Sequence, residues 1–295
     1  MSGAPGPGDR LRALLGDPQL TVAPGCYDAV TARLVRAYGF PAGYVSGATV
    51  SAIELGQPDL GFAGAAEMLQ VISRVVGALG PLPVIADADA GFGDEIHVAD
   101  LVRRYERAGV AALHLEDQAL PKRCGHMDGK RLVTADVAAS RIRAAVAART
   151  DLVVIARTDA LSVEGLAAAL DRASTFVEAG ADAVFVEGLR SVADIAAAHR
   201  QIDAPLVVSL SEAGGPITLT LRQLGDNGTA LALVPVAGLL AALSGYRGIL
   251  TDLQRRGIAR PTPQLPWSEL NDLLGLPALV DFQNAVEPSS CSIGQ

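Results

Sequence analysis

Short apolar runs alternate along the chain with longer segments whose apolar residues recur at helical spacing. The runs centre on Val22, Tyr44, Val84, Leu113, Val154, Val184, Val207 and Leu231, eight in all. Between them lie amphipathic stretches at 96–108, 134–148, 163–179, 191–201 and 237–256. Apolar runs without polar alternation suit strands buried on both faces. Strands alternating with helices specify parallel pairing through crossover helices. Eight such units predict an α/β protein with a (β/α)8 TIM barrel; an open doubly wound sheet is the rival.

The polar residues choose between these. Asp87 and Asp89 follow the third run, Glu116 the fourth, Arg157 and Asp159 the fifth, Glu187 the sixth, and Ser209, Ser211 and Glu212 the seventh. In an open sheet these would be strung along one edge, whereas ligands gather at a switch point. In a closed barrel they converge over one mouth, which favours the barrel.

The ends depart from the repeat. Residues 1–10, rich in Gly and Pro, are expected to form a disordered extension. Residues 11–286 are expected to form one barrel domain including the C-terminal helices, and 287–295 a loose tail. Three prolines within 260–266 interrupt the chain. Beyond them, 267–274 and 277–285 read as short helices suited to packing on a neighbouring subunit.

Bulk properties narrow the function. A chain of 295 residues that is 50% hydrophobic can bury a large core, and its net charge of −8 argues against nucleic acid or an anionic membrane as partner. No apolar run is long enough to span a bilayer, and the N-terminal residues lack a signal peptide's pattern, so a cytoplasmic protein is expected. Three cysteines do not suggest a disulfide framework.

The richest chemistry lies in one segment, Glu116-Asp117-Gln118-Ala119-Leu120-Pro121-Lys122-Arg123-Cys124-Gly125-His126. Lys122, Cys124 and His126 put an ammonium, a thiol and an imidazole in one loop. Neighbouring positive charge is expected to lower the thiol's pKa and fit it for proton transfer. Gly125 permits close approach to a ligand. Asp87, Asp89 and Glu116 lack local lysine partners and would repel one another around one mouth unless a cation joined them. Oxygen ligands without a histidine cluster favour Mg2+, with Mn2+ possible. Arg157 is placed to clamp a substrate carboxylate, and an ion pair to Glu187 or Glu116 is compatible with that role. Ser46 and Gly47 end the second run, where backbone N–H groups can meet a carboxylate. His97, His114 and His199 read as structural or surface residues.

Together these segments resemble the isocitrate lyase/phosphoenolpyruvate mutase superfamily over roughly residues 11–256. The matching stretches are Ala23-Pro24-Gly25-Cys26-Tyr27-Asp28-Ala29, Ser46-Gly47, Leu55-Gly56-Gln57-Pro58-Asp59-Leu60-Gly61 and Asp87-Ala88-Asp89-Ala90-Gly91-Phe92-Gly93. They continue with Glu116-Asp117-Gln118, Lys122-Arg123-Cys124-Gly125-His126 and Ala156-Arg157-Thr158-Asp159-Ala160. The resemblance implies a barrel whose last helix is swapped between subunits, usually in a homotetramer. It also implies Mg2+ held directly by Asp87, with Asp59, Asp89 and Glu116 acting through water. Tyr44, Ser46, Gly47, Asp59, Gly125, Arg157, Ser209, Ser211 and Glu212 are the expected substrate-binding residues. Cys124, Lys122, His126, Arg157 and Glu187 are the expected catalytic ones.

The cysteine loop is similar to that of the carbon–carbon lyases acting on methylisocitrate, dimethylmalate or oxaloacetate. The implied activity is Mg2+-dependent retro-aldol cleavage of a small 2-hydroxy di- or tricarboxylate. A phosphonomutase keeps a similar loop and is the alternative; a silent binding protein on the same fold is a third reading. Methylisocitrate lyases carry Asn-x-Thr-Glu-Phe-Gly where this chain has Ser209-Leu210-Ser211-Glu212-Ala213-Gly214. Where they have Tyr-Pro-Leu-Ser followed by an arginine, it has Val234-Pro235-Val236-Ala237 with Leu240 near the arginine position. With an amide and a cation lost, a smaller or more apolar acid than methylisocitrate is expected.

Overall fold

The computed structural model describes residues 4–215, 217–258 and 264–286. Eight strands are β1 (Thr21–Pro24), β2 (Gly43–Val45), β3 (Val84–Asp87), β4 (Ala112–Glu116), β5 (Val153–Thr158), β6 (Ala183–Val186), β7 (Leu206–Ser209) and β8 (Thr229–Val234). Each contains the residue on which an apolar run was centred. The helices of the first half are α1 (Pro7–Leu15), α2 (Ala29–Ala37), α3 (Gly47–Leu55), α4 (Ala65–Leu79), α5 (Glu95–Arg107) and α6 (Ala135–Ala148). Those of the second are α7 (Leu161–Glu164), α8 (Leu166–Glu178), α9 (Val192–Gln201), α10 (Leu221–Asp226), α11 (Ala237–Arg256), α12 (Trp267–Leu274) and α13 (Leu276–Val286). The expected helix over 163–179 is thus two helices divided at Gly165.

All strand pairs are parallel, in the order β1-β8-β7-β6-β5-β4-β3-β2. The last gap, between β1 and β2, is bridged where Gly25 pairs with Tyr44 and the Cys26 N–H donates to the Tyr44 carbonyl at 2.7 Å. The sheet is a (β/α)8 barrel. Side-chain oxygens of Asp28, Thr134, Ser191 and Thr220 accept from the first-turn N–H groups of α2, α6, α9 and α10, which fixes where those helices begin.

Ala23, Ile85, Ala112, Val153, Ile155, Ala183, Phe185, Val207 and Leu231 fill the barrel interior. Leu11 and Leu15 of α1 join that cluster and plug the base. The plug is tied to β5's entrance: the Gly8 N–H donates to Asp151 Oδ2 at 2.8 Å and Arg12 Nη1 to Asp151 Oδ1 at 3.2 Å. Residues 7–10, expected to be disordered, therefore belong to a helix; Pro7, pre-set for a first helical turn, starts it. Residues 1–3 and the expected tail at 287–295 lie outside the described residues.

The chain forms two compact units, Met1–Ala241 and Ala242–Gln295, where a single domain over 11–286 was expected. The second unit keeps much apolar surface: α12 and α13 bury no residue, and Trp267, Leu279 and Phe282 are exposed. Among the described residues, no helix is long and apolar enough to cross a membrane.

Candidate active site

The C-terminal ends of the strands gather the polar residues, as the barrel requires. A cavity there is lined by Tyr44, Ser46, Ala48, Asp59, Asp87, Cys124, Gly125, His126, Arg157, Phe185, Glu187, Ser209, Ser211, Ala213, Pro235 and Val236. Gly47, Asp89, Glu116 and Lys122 lie just behind that lining. Glu212 is not part of it, although its Oε2 is buried without a hydrogen bond.

The loop carrying the cysteine is packed down onto the mouth. Lys122 is buried, ion-paired with Asp59 and 2.8 Å from Asp89 Oδ1. The Cys124 N–H donates to the Asp59 carbonyl at 3.0 Å, and the Gln118 side chain exchanges two hydrogen bonds with the Arg123 backbone. Lys130 donates to the Gly125 carbonyl and lies 3.7 Å from Asp159. Gly125 has to be glycine, because a Cβ there would sit 2.5 Å from Arg157 Nη2 and 2.7 Å from Glu187 Cγ.

Three side chains line up for proton movement. Cys124 Sγ is 3.9 Å from His126 Nδ1, and His126 Nε2 is 3.4 Å from Glu187 Oε1. The thiol is not acidified as expected. Burial pushes it up to about 11, Asp59 adds to that, and Arg157 and Lys122 only partly oppose it. Its neighbouring cations are already engaged with carboxylates, so Cys124 stays a thiol at neutral pH. Burial also holds the His126 imidazole below its ordinary value, against the pull of Glu187.

Arg157 is buried over the Phe185 ring, 5.2 Å from its centroid. Its Nε and Nη2 both donate to Asp159 at 3.1 Å, while Glu116 lies 3.4 Å and Glu187 3.5 Å away. The bidentate edge expected to clamp substrate is thus held by Asp159, and a substrate carboxylate must use another. Asp159 is itself fixed through its backbone N–H, which donates to Asp117 Oδ1 at 2.9 Å. The Gly47 N–H, expected for substrate, donates to Asp87 Oδ2 at 2.9 Å.

The carboxylates differ sharply from one another. Asp87 accepts from two N–H groups, those of Gly47 and Asp89. Burial pushes its pKa up, but His114, Lys122, Arg157 and the Asp89 N–H outweigh that and hold it at about 2. Since burial keeps His114 itself at about 4, the lysine and arginine are the cations that count at neutrality. Asp89, in a left-handed backbone conformation at φ 44°, is pushed up to about 7 by burial, with Asp87 and Asp59 opposing Lys122. Burial also raises Glu116 well above the usual carboxylate range, despite Arg157.

Among the described residues, no three His, Cys, Asp or Glu side chains converge to hold a metal directly. Glu116 Oε1, however, is buried without a hydrogen bond, and Asp89 Oδ1 meets only Lys122, at 2.8 Å. A hard cation that keeps most of its water fits such a donor set, bound by one carboxylate and reached by the others through water. The residues fit Mg2+ in that mode and not as a three-carboxylate cage. His114, read from sequence as structural, is fully buried beneath the site with Nε2 2.8 Å from the Tyr44 hydroxyl. The pairing of Asp159 with Arg157 gave no signal beyond its place after β5.

Known proteins resemble this chain in sequence and fold. The family model described as phosphoenolpyruvate phosphomutase matches residues 11–253. The chain is 38% identical over 271 residues to a 2-methylisocitrate lyase of Aeropyrum pernix, covering 91% of this chain and 87% of that protein. It is 36% identical over 279 residues to a 2,3-dimethylmalate lyase of Eubacterium barkeri, covering 93% and 96%. Its fold is similar to that of an oxaloacetate acetylhydrolase solved with 3,3-difluorooxalacetate, with TM-score 0.90, 36% identity and coverage of 96% and 98%. The match spans the barrel and every residue of the mouth described above, and this chain belongs to the phosphoenolpyruvate phosphomutase family.

Proposed function

We propose that this protein is a carbon–carbon lyase that cleaves a small 2-hydroxy di- or tricarboxylate to an α-oxo acid and a second carboxylate. The observation that carries the reading is the position of the Cys124 thiol on the cavity wall, backed by His126 and Glu187. Retro-aldol cleavage leaves a carbanion, and a buried thiol that keeps its proton at neutral pH is a suitable acid to quench it. The C2 hydroxyl proton, lost as that hydroxyl becomes the oxo group, would pass by way of Glu187 and His126 back to the sulfur. Arg157, aligned by Asp159, supplies a fixed positive charge beside the developing negative charge. Asp87, with Asp89 and Glu116 through water, would hold Mg2+. The ion when bound polarises the oxygens of the α-oxo acid half.

The same chemistry bears on the rivals. A phosphonomutase moves a phosphorus group and needs no carbanion acid. A silent binding protein has no use for a buried carboxylate oxygen left without a partner, as Glu116 Oε1 is. The apolar, unburied faces of α12 and α13 support self-association, which we read as a homotetramer with exchanged C-terminal helices. Free Cys26 and Cys124 accord with a reducing, cytoplasmic setting.

Product analysis tests the assignment. With Mg2+, the protein is expected to release an α-oxo acid from 2-methylisocitrate or a substituted malate, to lose this activity in EDTA, and to regain it with added Mg2+. Turnover of phosphonopyruvate with no cleavage of any hydroxy acid would sink the lyase reading.

A further inference from the structure

Three residues beyond the end of β6, Glu187, Gly188 and Leu189, lead to Arg190, whose side chain reaches the loop after β7. Its Nη2 donates to the Ser211 carbonyl at 3.1 Å. Gly214 marks how close it comes to the reaction centre. A Cβ at that position would lie 2.2 Å from Arg190 Nη2 and 2.5 Å from His126 Cδ2, so guanidinium and imidazole flank the same glycine. Among the described residues, Arg190 makes no ion pair. The other cations of the mouth differ: Lys122, Lys130 and Arg157 are buried and each sits within ion-pair distance of at least one carboxylate, whereas Arg190 is exposed to solvent.

Arg190 lines a second, small pocket with Leu189, Leu210, Thr218 and the two serines Ser209 and Ser211. Those serines also line the main cavity, so the two spaces adjoin across them. A guanidinium has five N–H donors, and one hydrogen bond to a carbonyl leaves most of them available. An unneutralised guanidinium beside two hydroxyls, opening off a site that already holds carboxylates, suits an anionic arm of the substrate.

We propose that Arg190, with Ser209 and Ser211, binds a third carboxylate, and that this chain therefore prefers a tricarboxylic 2-hydroxy acid over a dicarboxylic one. The loss of a cation near Leu240 and of an amide at Ser209 had pointed to a smaller, more apolar acid. Arg190 supplies the missing charge from the neighbouring strand instead. The main cavity, with Cys124 and the Asp87 carboxylate, keeps the reacting carbons and their two carboxylates. The side cavity receives the remaining arm. The substrate choice rests on the lyase reading; the anion subsite does not.

The test compares wild type, Arg190→Gln and Arg190→Lys on 2-methylisocitrate, a tricarboxylate, and 2,3-dimethylmalate, a dicarboxylate. The quantity read is the ratio of the two kcat/KM values. Arg190→Gln is expected to lower that ratio about 10–100-fold, the scale of a lost charged hydrogen bond, chiefly through KM. Arg190→Lys is expected to restore part of it. A merely structural role would lower both values together and leave the ratio unchanged, which would overturn the proposal, as would an unchanged ratio with both values intact. If wild type cleaves neither acid, the lyase reading fails, and calorimetric titration with tricarballylate decides the subsite alone. Wild type binding at least about tenfold tighter than Arg190→Gln would support it. Equal affinity, or no binding by either, would overturn it.

Discussion

The two ends of the barrel treat carboxylates in opposite ways. At the base, Glu106 Oε1 accepts the backbone N–H groups of Thr150, Asp151 and Leu152 at 2.7, 2.7 and 2.9 Å. Asp182 accepts the Val154 N–H at 2.7 Å and pairs with Arg149, and Asp151 accepts from Gly8 and Arg12. At the mouth, Asp59, Asp87, Asp89, Glu116, Asp159 and Glu187 crowd around Lys122, Lys130 and Arg157, and Glu116 Oε1 has no hydrogen bond. Satisfied carboxylates hold strands and helices in register. Surplus ones raise the free energy of the empty site and lower it again when a cation and substrate arrive. Charge at the base serves the fold, and charge at the mouth serves binding.

The sharpest way to separate the two ends is to damage each and measure both stability and turnover. Cys124→Ser is expected to cut kcat by about 10²-fold or more, the usual scale for a lost general acid, with Tm unchanged. Near-normal cleavage by that variant would show that the thiol is not the acid. Leu11→Ala at the base is expected to do the reverse. It should cost about 2–5 kcal/mol, as large-to-small changes in a packed core do, with kcat per folded molecule retained. A denaturant midpoint equal to wild type would show that α1 is no plug.

Within the mouth the acids should divide further. Asp87→Ala strands the N–H groups of Gly47 and Asp89, so it is expected to lower stability by about 1–3 kcal/mol as well as abolish activity. Asp89→Asn removes a surplus charge. The folded Asp89 value, about 7, lies above the ordinary unfolded one. Stability is therefore fully present at acid pH and is lost as pH rises through about 7. In chelator, Asp89→Asn should thus raise Tm at pH 8 and leave it unchanged near pH 4. A lower Tm at pH 8 would break the distinction between surplus and satisfied acids.

Glu106→Gln carries the smallest expected effect, about 1 kcal/mol, discounted because the group is largely solvent-screened. The three N–H donors overcome burial and hold Glu106 below its ordinary value. Its contribution is therefore present above the unfolded pKa and lost as pH falls through the folded one. Urea melts at pH 7 and pH 3 should show the variant's deficit only at pH 7.

These contrasts were unevenly legible in the sequence. Every strand could be placed because a strand covered on both faces writes a continuous apolar run, and the acids at strand ends followed from the barrel. Helix α1 was hidden by the glycines and prolines around it, although Pro7 followed by leucines at 11, 14 and 15 was a usable signal. Arg157's engagement with Asp159, the high pKa of Cys124 and the reach of Arg190 into the β7 loop depend on packing. Spacing along the chain carries no trace of which ammonium has already found its carboxylate.

The plug at the base also sets an order of assembly. Helix α1 precedes every strand of the barrel, yet its anchor, Asp151, follows it by 143 residues from Gly8. Until β5 has been made, Leu11 and Leu15 have no lumen to enter and remain exposed on a nascent chain. Docking of α1 therefore belongs to the late, non-local steps of folding, which are slow because a long loop must close first.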